Sequence, residues 1–474
     1  MKNIFILLLL LGVAACRQPM AEKQPNGLQA PVFPDYSDCV VPANIAPLNF
    51  EVMKGCDEVE VVYRVGEKVL LTYRGNQYVE LPLRKWKKMM TEAAKAGKVK
   101  MSVSYRSGKE WKEYNPIYFQ VAPEPVDEWI AYRLIFPGYE GWAGMGIYQR
   151  NLTNFQEETI LDNRMTGKNC MNCHSFNRHS PDQFMFHMRG SITGTVLVEG
   201  DDCSLVNGKV GEQSVPLVYP AWHPSGRYIA FSSNSTRQFF HARPEKQVEV
   251  YDESSDIVLY DIRDKRIQTD SALLARSEAF ETYPAWSPSG DRLYFCSTDS
   301  VLMPEEYKKI QYQICSVGFD AEKGTFTGPI DTVLSIPGKS VVFPRISPDG
   351  RFLLVTTLDY GCFPIWHKES DLVMWDLENK QFIPHLANSF DADGYHSWSS
   401  NGKWVMFGSR RIDGLFTRLW FAYVQEDGRL CKPFLLPQSG ELLRDTRSKS
   451  YNVPEFISKP VTVSPRKLFK TVKS

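Results

Sequence analysis

The segment Cys170-Met171-Asn172-Cys173-His174 sets two thiols three positions apart, with an imidazole directly after the second. Thiols at this spacing can each add to a vinyl group of one porphyrin, while the adjoining imidazole is held beneath the iron as proximal ligand. One covalent c-type haem is the cofactor this pattern predicts, attached at Cys170 and Cys173 and ligated by His174. Two other chemistries use the same residue types. A redox dithiol needs a βαβ context that the flanks lack, and zinc needs further ligands, such as His179 or His187. For the sixth position on the iron, His179, Met185, His187 and Met188 all qualify by type. A thioether there raises the potential, an imidazole lowers it, and an open face admits peroxide or another small ligand. The same four residues serve equally well as strand residues packing a core.

Haem of this type is attached outside the cytoplasm, so an export signal is required. Lys2 precedes an apolar run from Ile4 to Leu11 that ends in small residues, which is a secretory pattern too short to span a membrane. Val13-Ala14-Ala15-Cys16 resembles the bacterial lipobox, in which the thiol is acylated and becomes the new N-terminus. The expected membrane contact is therefore a lipid anchor at Cys16, after a signal at 1–15 and before a polar, Pro-rich tether at 16–35. Of ten cysteines, setting Cys16 aside leaves an odd nine, so at least one is unpaired or committed elsewhere. Cys39 and Cys56 are candidates for a bridge that spacing alone does not establish.

The elements that carry the motif are strands. The 474 residues exceed one ordinary core, and the 31 Gly, 30 Pro and 13% aromatic residues fit many short strands closed by turns. Lys+Arg and Asp+Glu balance at 55 each, leaving no field to attract a polyanion, so no nucleic-acid partner is expected. Four segments share one pattern: Tyr219-Pro-Ala-Trp-His-Pro-Ser-Gly, Tyr283-Pro-Ala-Trp-Ser-Pro-Ser-Gly, Phe343-Pro-Arg-Ile-Ser-Pro-Asp-Gly and Tyr395-His-Ser-Trp-Ser-Ser-Asn-Gly, each followed by an apolar strand. Their starts lie 64, 60 and 52 residues apart, a period that signifies propeller blades. Over about 215–430 they resemble the TolB-like, WD-repeat-related β-propeller family. Ile346 departs from the family's Trp, and His396 and Ser400 from its prolines.

A weaker fifth copy aligns Phe176-Asn-Arg-His-Ser-Pro-Asp-Gln with the Phe343 repeat, putting Gln183 at the turn glycine and Phe184 to Met188 on the second strand. On alternation, Met185 and His187 face one side and Phe184, Phe186 and Met188 the other. The expected fold is all-β: a small β-sandwich-like domain at 36–125 with one helix over Leu83 to Gly97, an aromatic-rich connector carrying the haem motif at 126–175, and a propeller at 176–440. Five blades are counted, and a sixth requires residues from 431–474. Residues 441–474 read as a basic tail of net charge +5.

The combination also resembles a group of Bacteroidetes envelope lipoproteins with one C-x-x-C-H before a TolB-like propeller, often with a segment like Phe186 to Gly190. That likeness implies the periplasmic side of the outer membrane, because the residues after Cys16 lack the acidic cluster associated with surface export in that phylum. The expected function is electron transfer by an anchored mono-haem cytochrome, with an unidentified redox or envelope protein as partner. The alternatives are a TolB-like binding or assembly propeller with structural or sensory haem, and a haem peroxidase using His179 or His187 with Arg189. No G-x-S-x-G occurs, which removes a propeller-linked serine hydrolase of that type.

Overall fold

The structure, a computed structural model, describes residues 23–53, 55–136, 144–206, 208–210, 213–243, 246–270, 272–440 and 449–473. Cys16 and the export segment lie outside them, as do Tyr139 and Trp142 of the aromatic stretch.

Six four-stranded antiparallel sheets form a β-propeller among the described residues. Sheet I runs outward from Cys170–Asn177 through Ser180–Arg189 and Gly194–Glu199 to Asp202–Val206. The innermost strands of sheets II to V are Val218–Trp222, Ala279–Trp286, Ser340–Ile346 and Asp393–Trp398. Sheet VI is discontinuous in sequence: its inner strand is Ser450–Ile457, and its outer three are Trp129–Ile135, Met145–Asn151 and Glu157–Asp162. The inner strands touch in ring order, with Ser450–Ile457 between those of sheets V and I. The blade count is therefore six, closed by a strand from near the C-terminus. Most of what the sequence offers as a connector is three strands of sheet VI. The segment offered as a basic tail supplies the closing strand and the helix Pro465–Lys473. That helix buries Leu468 and Val472 against Ile160, Val196 and Val198, strapping the seam between sheets VI and I from outside.

The repeat has a physical basis in each inner strand. A bulge there holds one non-glycine residue at positive φ: Tyr219 at 47°, Tyr283 at 49°, Phe343 at 58°, Tyr395 at 50°, Val453 at 44° and Cys173 at 52°. The bulge widens the strand and turns the residue into the central channel, where Tyr219 and Tyr283 lie 4.4 Å apart by ring centroids and Phe343 lies 5.4 Å from both Tyr283 and Tyr395. Three residues further on, the repeat's Trp ties its sheet to the preceding one. Indole N–H groups of Trp222, Trp286 and Trp398 donate to the carbonyls of Ser175, Ala221 and Arg345, each at 3.1 Å. The following loop is held by the serine hydroxyl, since Ser347 and Ser399 accept the N–H groups of Phe352 and Trp404 at 2.9 Å. Trp286→Phe removes one inter-sheet hydrogen bond and is expected to cost about 1–2 kcal/mol, read as a lower urea midpoint at unchanged slope.

The N-terminal unit is a seven-stranded mixed sheet beside a three-stranded one. The expected helix forms at Leu83–Ala96, buries Trp86, Met89, Met90 and Ala93, and stops at Gly97, whose φ of 74° suits glycine. Cys39 and Cys56 are separate thiols. This unit shares one hydrophobic cluster with Trp404, Phe421, Phe434 and Phe456 of sheets V and VI, so it is packed onto the propeller.

Candidate functional site

The Cys-x-x-Cys-His segment is the inner strand of sheet I. Register sets Cys170 opposite Arg189 and Asn172 opposite His187, then breaks until Ser175 meets Met185 and Phe176 meets Phe184. The same break lies between Val218 and Ala221 and between Val342 and Arg345. Cys173 and His174 therefore stand where the other sheets carry Tyr219-Pro220 or Phe343-Pro344, and Phe176 stands in the place of Trp222. This corrects the sequence alignment, which put Phe176 three positions too far forward. The turn is tight, with Arg178 at φ 46° and His179 at φ 63°, so Gln183 does not occupy a turn-glycine position.

Cys173 thus opens toward the channel among Tyr219 and Tyr395. His174 turns to the seam with sheet VI, beside the backbone of Ala131 and Val453 and 6.2 Å from the Phe176 ring. It is only 2% exposed, and its ring nitrogens meet only backbone groups of Val453 and Ala131, with no side-chain partner and no hydrogen bond of good geometry. Burial, with the nearby Arg133 charge, drives its imidazole down to about 3, so the ring is neutral with a free lone pair. Burial raises the Cys170 thiol, while Arg133 and Arg189 oppose the rise.

The four sixth-ligand candidates are scattered. His179 sits at the far end of the strand, donating from Nδ1 to the Phe456 carbonyl at 3.0 Å. His187 is 7% exposed and hydrogen-bonded to the Thr195 hydroxyl at 2.9 Å, its imidazole pushed down to about 4 by burial and Arg189. Met185 lies with it on the sheet II side, in the cluster with Leu197 and Trp222. Met188 lies on the other face with Met171 and Phe176, the side to which His174 turns. The alternation expected for this strand is observed. Among the described residues no three His, Cys, Asp or Glu side chains gather around a possible metal ion.

The donor set fits a c-type haem by its chemistry: two unbridged thiols and a neutral imidazole with no side-chain partner, all on one inner strand. Cys173 faces the channel and His174 the seam with sheet VI.

Sequence reasoning missed Glu455 and Arg345, which occupy the channel position two residues after the bulge. Glu455 accepts the Phe176 N–H at 2.9 Å. Burial pushes its carboxyl up to about 7, against the pull of that N–H and of Arg345. A carboxyl raised in the folded state binds protons more tightly there than in the unfolded chain, so stability falls as pH rises from about 4.5 to about 7. Glu455→Gln keeps an acceptor for Phe176 and is expected to remove about 3 kcal/mol of that fall, measured as the difference in unfolding free energy between pH 5 and pH 8.

No protein-family model matches the chain, and no curated protein matches it. Similar solved structures include Kuenenia stuttgartiensis hydrazine synthase, at TM-score 0.44 and 8% identity over 71% of this chain and 48% of that one. The β-propeller domain of the Trilobed protease from Pyrococcus furiosus gives TM-score 0.33 and 9% identity over 69% of this chain and 79% of that one. The tricorn protease gives TM-score 0.36 and 12% identity over 69% of this chain. The chain spans 32% of the tricorn protease and 52% of a puromycin-hydrolysing peptidase from Mycobacterium tuberculosis. The β-propeller assignment rests on the connectivity of the six sheets themselves.

Proposed function

We propose that this protein is a mono-haem c-type cytochrome built on a six-bladed propeller and that it transfers electrons in the cell envelope. The observation that carries the reading is His174, a buried neutral imidazole with no side-chain partner and no hydrogen bond of good geometry, directly after paired thiols at haem-attachment spacing. A haem bound there supplies a one-electron iron couple. Cys170 and Cys173 hold it through thioethers, and His174 fixes the proximal position. Ala131 and Val453 at the seam keep water from the ring and hold it in place. Among the sixth-ligand candidates, Met188 lies on the face of sheet I to which His174 turns and Met185 and His187 on the other, so variants at these three positions would identify the ligand of a bound haem. Cys16 carries the lipid that tethers the protein to the periplasmic side of the outer membrane, and the electron partner is an envelope protein.

The reading is tested by spectroelectrochemical titration of protein matured in a host that attaches c-type haem. A reversible one-electron transition, with no rapid spectral change on adding peroxide, supports electron transfer. An iron that does not titrate favours the binding or assembly propeller, and a fast peroxide reaction favours the peroxidase.

A further inference from the structure

Three arginines without an ion-pair partner among the described residues converge on the end of the channel where Cys170 and Cys173 lie. Arg133, on sheet VI, reaches across the seam and donates Nη1 to the carbonyl of Met171 inside the haem motif at 3.4 Å, while its buried Nε has no partner. Arg189 is the cross-strand neighbour of Cys170 and is exposed. Arg410 follows the second strand of sheet V and stacks 4.4 Å above the Trp366 ring, and its buried Nε is also unpartnered. Arg133 and Arg410 both act on Tyr395, which lies within reach of Cys173. The acids nearby do not neutralise them. Asp252 is buried in its own hydrogen bonds to Asn234 and Thr236, and Asp391 and Asp413 act on Arg410 without pairing with it. The Arg133 and Arg410 guanidinium groups are drawn partly out of water with a buried donor unpaired, which is unfavourable unless an anion completes them, and the exposed Arg189 adds a third positive group beside them; a planar carboxylate fits such paired donors.

We propose that Arg133, Arg189 and Arg410 form the carboxylate-binding rim of the haem site and receive the propionate groups at the edge of the macrocycle. This rests on the haem reading above. It makes the arginines positioning residues that also raise the potential, because their positive charge favours the reduced iron.

The test uses the full chain matured in a haem-attaching host, as wild type, Arg133→Gln, Arg189→Gln and Arg410→Gln. Haem retained after denaturation and acid extraction is measured alongside the midpoint potential and the propionate bending band in the resonance Raman spectrum. The expected result is unchanged covalent haem, a shifted propionate band, and a reduction equilibrium constant about tenfold lower per variant, a fall of about 59 mV for one electron. Arg133→Lys restores part of the potential and not the band. Arg189→Gln, at an exposed side chain, keeps the test available should a buried variant fail to fold. Attached haem with neither potential nor band altered overturns the proposal alone. A wild-type chain with no covalent haem overturns the haem reading and this proposal with it.

Discussion

Exported protein carrying Cys170→Ala together with Cys173→Ala is expected to retain no haem after denaturation and acid extraction, while Cys203→Ala retains all of it. Thioether bonds survive denaturation and axial coordination does not, so the extraction isolates the two thiols from His174. Each single variant keeps one bond, and its haem spectrum shifts toward that of a porphyrin with one vinyl group unreacted. Both thiols are half-buried, so alanine at either site changes stability by about 1 kcal/mol or less through lost packing. Haem retained at full yield in the double variant would show that the pair is not the attachment point.

Ending the chain at residue 448 is expected to abolish cooperative unfolding. Ser450–Ile457 is the inner strand of sheet VI, paired with Trp129–Ile135 and touching the inner strands of sheets V and I. It buries Tyr451, Phe456 and Ile457, and the following helix buries Leu468 and Val472 over the same seam. At about 1.5–3 kcal/mol for each large apolar side chain, their removal takes away an amount comparable with the whole stability of a typical domain, about 5–15 kcal/mol. Phe456→Ala alone is expected to cost about 3–5 kcal/mol, read from urea unfolding. A truncated chain that melts like the full one and resists limited proteolysis would mean that the ring closes without this strand.

The four aromatic-to-glycine repeats were legible because each compresses a bulge and a glycine turn into eight contiguous residues, with an inter-sheet indole in three of them and a serine-held turn in three. Sheet VI was not, since its inner strand lies about 290 residues downstream of its outer three and its bulge residue is Val453, followed by a sequence with no turn glycine. Sheet I was half legible. The strand Phe184 to Met188 and its two faces followed from alternation, but Cys173-His174 replaces the aromatic-proline pair, and the nearest aromatic, Phe176, drew the alignment three positions out of register. Cys173 and His174, the residues proposed to hold a haem, stand where the repeat elsewhere places its channel-lining aromatic and proline. The candidate donors Cys170, Cys173 and His174 were picked out by spacing alone. The burial of the His174 imidazole, the Glu455 carboxyl and the arginine cluster were not, since each depends on strands brought together across the ring.

The central claim is that one haem is bound covalently to Cys170 and Cys173. It is tested most directly by the intact mass of the denatured protein, purified from a host that matures c-type cytochromes, followed by fragmentation of the peptide containing Cys170 to His174. The account predicts a mass greater by one haem per chain, with the whole increment on that peptide. A chain of unmodified mass, with both thiols free to alkylate, would contradict it.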